Sequence, residues 1–301
     1  MAGISNYYRL GPVSIGTAAA PTVIGGITDI GGTAGVEVIR EPVSGEIGVR
    51  TQAVTAIKPT GSFSTLDIAS ALGVCGSLGL SLFVPSEAVN QNLLKLYATK
   101  YDTAGTIATG AVHRLWTMRG GLLYPTRLSC SHRGNATLAY QALLASDGTN
   151  DPVAESNAAL PTAADNTLWT LSTVSLAGLG ATDVQSVEVD FGIQVSSEGA
   201  NSELYDTQCA IDAITPRVTV TLNDVSDEVD LDGEEETTGT IVFRDRDHNG
   251  QFGTATLTLG FSGLVYVTDL VRAGQRGAAS RAIVCDVEWD GTSTPFSIAE
   301  A

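Results

Sequence analysis

The amino-acid sequence predicts a mainly-β protein: antiparallel sheets packed as a sandwich or closed as a barrel, with one short flanking helix and long loops. Three observations carry this prediction. Several runs alternate apolar and polar residues with a period of two. Clusters of Gly, Ser, Thr, Asn and Asp separate those runs. Helical signals are few. Strict alternation puts one face of a strand on a core and the other in water, which marks antiparallel sheets.

From the N-terminus, Thr65–Leu72 (TLDIASAL) predicts the helix, started by Thr65. Ser86, after Pro85, is placed to cap a turn through Val89. Leu93–Lys100 (LLKLYATK) fits a strand and a helix equally well. Ser186–Ser196 (SVEVDFGIQVS) is the cleanest strand, with Val187, Val189, Phe191, Ile193 and Val195 on one face and Glu188, Asp190 and Gln194 on the other. Val218, Val220 and Leu222 repeat the pattern, as do Ala255, Leu257 and Leu259. Ile283, Cys285, Val287 and Trp289 share a face opposite Asp286 and Glu288. Turn clusters stand at Gly31–Gly35, Ser146–Asp151, Ser197–Ser202 and Ser226–Gly239. The last is densely acidic and reads as a solvated loop.

The chain has 301 residues, 43% of them hydrophobic, so apolar material for a core is ample. All-β folds of roughly 200–250 residues often form one domain, and no Pro-rich linker or repeat divides the chain. The expectation is a single domain over residues 1–301. The first residues, MAGISNYYRLGPVS, hold no apolar stretch, and Leu78–Val84 is too short to cross a bilayer. A chain made and assembled in a cytoplasm, without membrane contact, is expected.

Acidic residues number 33 against 16 basic, a net charge of −17, and lysine occurs only at Lys58, Lys95 and Lys100. Such a surface repels phosphate backbones, because nucleic-acid binding needs clustered Lys and Arg. The stretch around His113 and His132 is locally basic, with Arg114, Arg119, Arg127 and Arg133 beside Trp116 and Tyr124. It reads as a surface paired with acidic neighbours, the alternative being a stacking contact to nucleic acid.

Few residues are arranged for chemistry. Asp245, Asp247, Asn249 and Gly250 match the first half of a calcium loop, but position twelve is Thr256, without a carboxylate, and Arg244 and Arg246 oppose a cation. Asn249-Gly250 between strand-like flanks predicts a β-turn. His113, His132 and His248 share no local spacing, and Cys75, Cys130, Cys209 and Cys285 form no zinc pattern. Free thiols are expected. Gly73, Gly76 and Gly79 follow GxxGxxG rather than a dinucleotide fingerprint, and Ser14 lacks a nucleophile elbow. No catalytic residue, cofactor or metal is expected, and the reading is of a protein that is not an enzyme.

Pro21–Leu72 resembles the N-terminal half of major tail tube proteins of long-tailed, siphovirus-like bacteriophages. The resembling elements are Gly26–Ile30, Gly35–Val38, a loop holding Gly45, Lys58-Pro59, and Ser62–Asp67 leading into the helix. The stretches from Gly110 to Gly148 and from Val184 to Val220 are also similar to such proteins. The resemblance implies a β-sandwich subunit of hexameric rings that stack into a tail tube, the conduit for genome delivery. It implies residence in the virion tail. The implied partners are further copies of itself, a tape measure protein, tail terminator and distal tail proteins, and double-stranded DNA that passes without specific binding. A loop at about 40–52, with Arg40, Glu41, Glu46 and Arg50, would reach the next ring. Glu188 and Asp190 offer an acidic face suited to a lumen, the alternative being outer solvent. The acidic run at about 226–239 matches no family element. Two related readings are the inner tube of a contractile injection machine and a β-sandwich surface-binding module. A third is a glycan hydrolase on a β-scaffold; paired carboxylates abound, but in so acidic a chain they carry little information.

Overall fold

The computed structural model describes residues 7–42, 49–82, 91–102, 104–162, 167–176, 179–181, 184–200, 203–223, 232–247, 249–272 and 279–301. The chain opens with β1 (Tyr7–Gly16), β2 (Pro21–Ile24) and β3 (Ile27–Thr33). Then β4 (Val36–Pro42) and β5 (Val49–Ile57) form a hairpin, and β6 (Thr60–Thr65) leads into α1 (Ile68–Cys75). Next come β7 (Leu80–Ser81), β8 (Leu93–Tyr101), β9 (His113–Met118), β10 (Leu122–Ser131) and β11 (Thr137–Leu143). They are followed by β12 (Val153–Ala158), β13 (Leu168–Leu176), β14 (Leu179–Ala181), β15 (Val184–Asp190), β16 (Ile193–Glu198) and β17 (Gln208–Ile214). The last strands are β18 (Arg217–Leu222), β19 (Asp232–Arg246), β20 (Phe252–Arg272), β21 (Ser280–Val287) and β22 (Ser297–Glu300).

These strands make two sheets and two separate hairpins. The smaller sheet runs β12-β9-β8-β1-β2. The larger runs β14-β13-β19-β20-β21-β18-β15-β10-β11-β6-β3, with β22 added to β20 and β7 to β10. The pairs β4–β5 and β16–β17 stand apart as two-stranded ribbons. Neighbouring strands within the sheets are antiparallel throughout. The inner faces of both sheets contribute to one apolar core: Val13 and Ile15 of β1, Leu94 and Leu96 of β8, Phe63 of β6, Leu128 of β10 and Val189 of β15 are all buried. The mainly-β sandwich character follows from this two-layer burial.

Helix α1, the one helix among the described residues, packs against this core. Ile68, Ala71, Leu72 and Cys75 are its buried face. Its start differs from the sequence expectation. Thr65 stays in β6, where its hydroxyl donates to Gly25 O (2.7 Å) and accepts the Asp67 N–H (2.9 Å). The capping role passes to Asp67, whose Oδ1 accepts the Ser70 N–H at 3.3 Å. Gly76, at φ 65°, closes the helix with its N–H on Leu72 O. Tyr140 packs its ring on Phe63, centroids 5.1 Å apart, and donates its hydroxyl to Ala71 O.

The strand readings at Val218–Leu222 and Ala255–Leu259 hold, with Val218, Val220, Leu222, Leu257 and Leu259 buried. Leu93–Lys100 resolves as strand β8, because Leu94 and Leu96 are buried against the core. Three expectations are corrected. Asp232–Gly239 of the acidic run is not a loop but the first half of β19, laddered against β20 from Asp232↔Tyr266 to Gly239↔Phe261; residues 226–231 lie outside the described residues. Trp289 leaves the core face, since β21 ends at Val287 and the indole is 37% exposed. Ser186–Ser196 is not one strand: it breaks at Gly192 into β15 and β16. Ser86 to Val89 lie outside the described residues.

The break has a steric cause. Gly192 adopts φ 59°, and a Cβ there would lie 2.0 Å from Thr215 O. The facing strand changes at the same level through Thr215-Pro216, between β17 and β18. Both strands of the ladder therefore leave the large sheet together, and the ladder continues as the β16–β17 ribbon. Gly192→Ala should cost about 1–3 kcal/mol, the scale for a forced backbone clash at positive φ. Urea denaturation checks this, and a loss below about 0.5 kcal/mol would show that the break does not need glycine.

Candidate functional site

Two surfaces are unfinished in the isolated chain: the β4–β5 arm and a groove at its root. Among the described residues no other strand pairs with the arm, and its backbone meets the rest of the chain through Ile57, at Leu204 and Tyr205. Val38 stands opposite Val54, and Ile39 opposite Ala53, so successive residues give both faces apolar character. Val36, Val38, Ile39 and Val54 are each between 44% and 50% exposed. A two-stranded ribbon without a sheet to cover it is marginal in water, and clustered exposed apolar groups mark contact surfaces. Gly35 shapes the root. It has φ 57°, a Cβ there would fall 1.9 Å from Lys58 O, and its own carbonyl accepts the Lys58 N–H at 3.0 Å.

The groove has a volume of about 1150 Å³. Its walls come from the free edge of β3, from β1, and from the faces of β8 and β9, with Tyr8, Leu10, Tyr97, Tyr101, Trp116 and Met118 prominent. Ile57 and Pro59, at the base of the arm, and Tyr205 close one side. Met118 lies over Gly61, where a Cβ would come within 2.5 Å of Sδ. At the rim, the Arg9 guanidinium stacks over Tyr7 and Tyr101, 5.1 and 5.5 Å from the ring centroids. The mouth is thus aromatic and cationic, while the interior is mainly apolar.

The residues singled out in the sequence fall elsewhere. Glu188 accepts a hydrogen bond from Arg127 Nη2 at 2.5 Å. Asp190 stands in register between Arg127 on β10 and Arg217 on β18, and accepts the Gly192 N–H at 2.9 Å. Arg217 in turn donates to Asp286 at 2.7 Å, and the Tyr266 hydroxyl donates to the other oxygen of Asp286 at 2.9 Å. The hydrogen bond to Asp286 raises the pKa of both Arg217 and Tyr266. Across β10, β15, β18 and β21 the wet face therefore carries a row of alternating sign. Of the arm residues, Arg40 is exposed and pairs with Gln52, while Glu41 faces Thr51 in the ladder. Arg50 lies in β5, and Glu46 lies outside the described residues. The expected loop at 40–52 is, in its described parts, the distal half of a β-ribbon.

The locally basic stretch disperses. Arg114 pairs with Glu155 at 2.9 Å, Arg127 with Glu188, and Trp116 turns into the groove. His113 is buried and its Nδ1 accepts the Lys100 N–H at 3.0 Å, a satisfied core histidine; His132 is exposed and His248 lies outside the described residues. Cys75, Cys130 and Cys285 are buried free thiols and Cys209 is half-buried; burial pushes Cys75 up to about 12 and Cys209 and Cys285 up to about 11. Among the described residues, no group of three or more His, Cys, Asp and Glu is placed to hold a metal ion, and no helix is long and apolar enough to cross a membrane.

The calcium-like stretch is a turn. Asp247 Oδ1 accepts the N–H groups of Asn249 (2.9 Å) and Gln251 (2.7 Å), and Gly250 takes φ 83°. The same device recurs in three other loops. Asp102 holds Ala104 and Thr106, Asp147 holds Thr149 and Asn150, and Asp290 holds Thr292 and Ser293. Part of the acidic surplus thus folds loops. The Thr106 hydroxyl, with backbone N–H groups, lowers the pKa of Asp102. Partial burial opposes the shift at Asp147, but its bonds from Asn150 and Thr149 lower it overall. The backbone N–H groups of Ser293 and Thr292 bring Asp290 down to about 2.

Because these folded-state values are depressed, the stabilisation each carboxylate gives is present above the ordinary value of 3.8 and is lost as pH falls through its folded value, about 2 for Asp290. The Asp290 carboxyl should titrate near 2 in a heteronuclear NMR titration, with the Thr292 and Ser293 amides following the same midpoint. A midpoint near 4 would refute the turn as described.

In comparisons with known proteins, the chain matches no family model and no curated sequence.

Proposed function

We propose that the chain is a structural subunit of a self-assembling tube, the major tail tube protein of a long-tailed bacteriophage. In this reading it forms hexameric rings that stack into the conduit for genome delivery in the virion tail. The observation that carries the reading is the β4–β5 arm. It exposes Val36, Val38, Ile39 and Val54 on a ribbon that no other strand of the described chain covers, and an apolar groove opens at its root. Burial of such side chains contributes roughly 25 cal/mol per Å² of apolar surface, so a neighbouring copy is a natural cover. The arm falls within the stretch whose residues resemble the tail tube family.

Other features support the same assignment. Among the described residues β3, β14, β2 and β12 end the two sheets, and edges are hazards in a monomer but useful where a neighbour pairs with them. The net charge of −17 per copy, multiplied sixfold in a ring, suits a passage that must not hold DNA. Glu188 and Asp190 stay our candidates for the bore. Each is matched by an arginine, so the surface they would supply is a polar row of alternating sign rather than a bare acidic one. In this reading the tape measure protein fills the tube during assembly, tail terminator and distal tail proteins close its ends, and no cofactor or catalysis is involved.

Electron microscopy of the purified protein tests the proposal: rings and stacked tubes are expected, and a monomer that stays dispersed at high concentration overturns it. The double variant Val38→Asp/Val54→Asp should raise the concentration needed for assembly at least tenfold. Its melting temperature should stay within a few degrees of wild type, since both side chains are already exposed. Sedimentation velocity reads the first quantity and thermal denaturation the second.

A further inference from the structure

The arm is held to the body by a segment far from it in sequence. Ile57, the last residue of β5, donates its N–H to Leu204 O at 2.7 Å and forms an isolated parallel bridge with Tyr205. Among the described residues no other strand pairs with the arm. The remaining attachment is the pair of chain crossings at Ala34-Gly35 and Lys58-Pro59, closed by the Lys58 N–H on Gly35 O. Two crossings at one level make a hinge line, and beside them Ile57 meets Leu204 and Tyr205, a contact placed to bear on the angle about it.

That contact is itself anchored. Asp206, 8% exposed, follows Tyr205 directly. Its carboxylate accepts a short hydrogen bond from the Ser197 hydroxyl, and its carbonyl accepts the Ser146 N–H at 2.7 Å. Thr207 N–H closes onto Glu198 O at 2.9 Å. Ser197 and Glu198 belong to β16, so the segment Leu204–Thr207 is clamped to the second ribbon, which itself touches the body through Cys209 Sγ on Leu143 O. Gly199 leaves room for this clamp, since a Cβ there would lie 3.2 Å from Asp206 Oδ1. Tyr205 is also a wall of the groove.

We propose that Leu204–Asp206 is a brace that sets the angle of the arm, so that the β16–β17 ribbon and the β4–β5 arm move as a coupled pair. Displacing one ribbon swings the other and, through Tyr205, changes the width of the groove. The segment thus controls how the arm is presented to a second copy of the chain. That functional weight rests on the assembly reading above; the mechanical coupling does not.

The test uses the unassembled full-length chain, so it gives an answer whether or not rings form. Spin labels carried on unnatural amino acids go at Gln52, on the arm, and at Ser262, on the large sheet; both positions are exposed. Pulsed dipolar spectroscopy measures the distance distribution between them. Asp206→Ala and the milder Ser197→Ala should each broaden that distribution at least twofold. Hydrogen exchange of the cross-strand amides within β4 and β5 should stay at the wild-type rate, because the arm swings without melting. Should Asp206→Ala fail to fold, Ser197→Ala decides. An unchanged distribution in either folded variant overturns the brace, as does broadening accompanied by loss of protection within the arm.

Discussion

Register in the large sheet depends on one constraint: the apolar residues of each strand must all face the same layer. Val187 and Val189 of β15 lie beside Val220 and Val218 of β18, which lie beside Ile283 and Cys285 of β21. All six are buried. A slip of one residue in any of these strands would send its whole apolar set into water and bring Glu188, Thr219 or Asp286 inside. The same register lines up Arg127, Asp190, Arg217 and Asp286 on the opposite face. The charge row is a by-product of core packing, and each charge finds its partner without a separate cost in loop geometry.

That constraint also explains what the sequence reveals. β18, β20 and β21 are legible because one face is dry and the other wet over their core-facing residues. β8 is ambiguous because Tyr97 is buried next to Leu96, so the alternation is blurred. The break at Gly192 is invisible locally, since Phe191 and Ile193 continue the apolar period on either side. Its second determinant, Pro216, is distant in sequence and close only in the ladder. The helix start misleads for a similar reason. Thr65 and Asp67 are both capping residues, and Thr65 is excluded by its bond to Gly25 O, a contact that no local pattern encodes. Asp232–Gly239 is acidic enough to read as a loop, yet it lies along β20, and backbone pairing overrides composition there. The groove leaves no signal at all in the sequence because β1, β3, β8 and β9 each give it only a few residues.

Acidity divides into several roles. Asp102, Asp147, Asp247 and Asp290 satisfy backbone N–H groups in tight loops. Glu155, Glu188 and Asp286 pair with arginines on neighbouring strands. These exposed pairs are worth little each, about 0–1 kcal/mol, so their effect is on the field at the surface rather than on stability. Much of the net charge of −17 must therefore come from carboxylates outside these two groups. Local geometry, not composition, decides where a phosphate backbone would be repelled.

The arm and the groove together limit the kinds of association open to the chain. They are different surfaces of one molecule, so an arm seated in a neighbour's groove is a head-to-tail contact. Such a contact leaves one arm and one groove free at the ends of any chain of copies and does not terminate unless the rotation closes. A two-fold dimer that exchanged arms would instead consume both surfaces and stop. The angle between arm and body separates these outcomes, because it sets the rotation from one copy to the next. In the proposed assembly the contact of Ile57 with Leu204 and Tyr205, backed by a buried carboxylate, would place that choice in a few residues. Like charge keeps free copies apart over roughly the ~8 Å Debye length of physiological salt, while apolar contact acts only on touching surfaces. In the proposed assembly, growth on those terms would favour seating an arm at a correct angle over unspecific collapse, because a misplaced arm meets the repulsion without the burial.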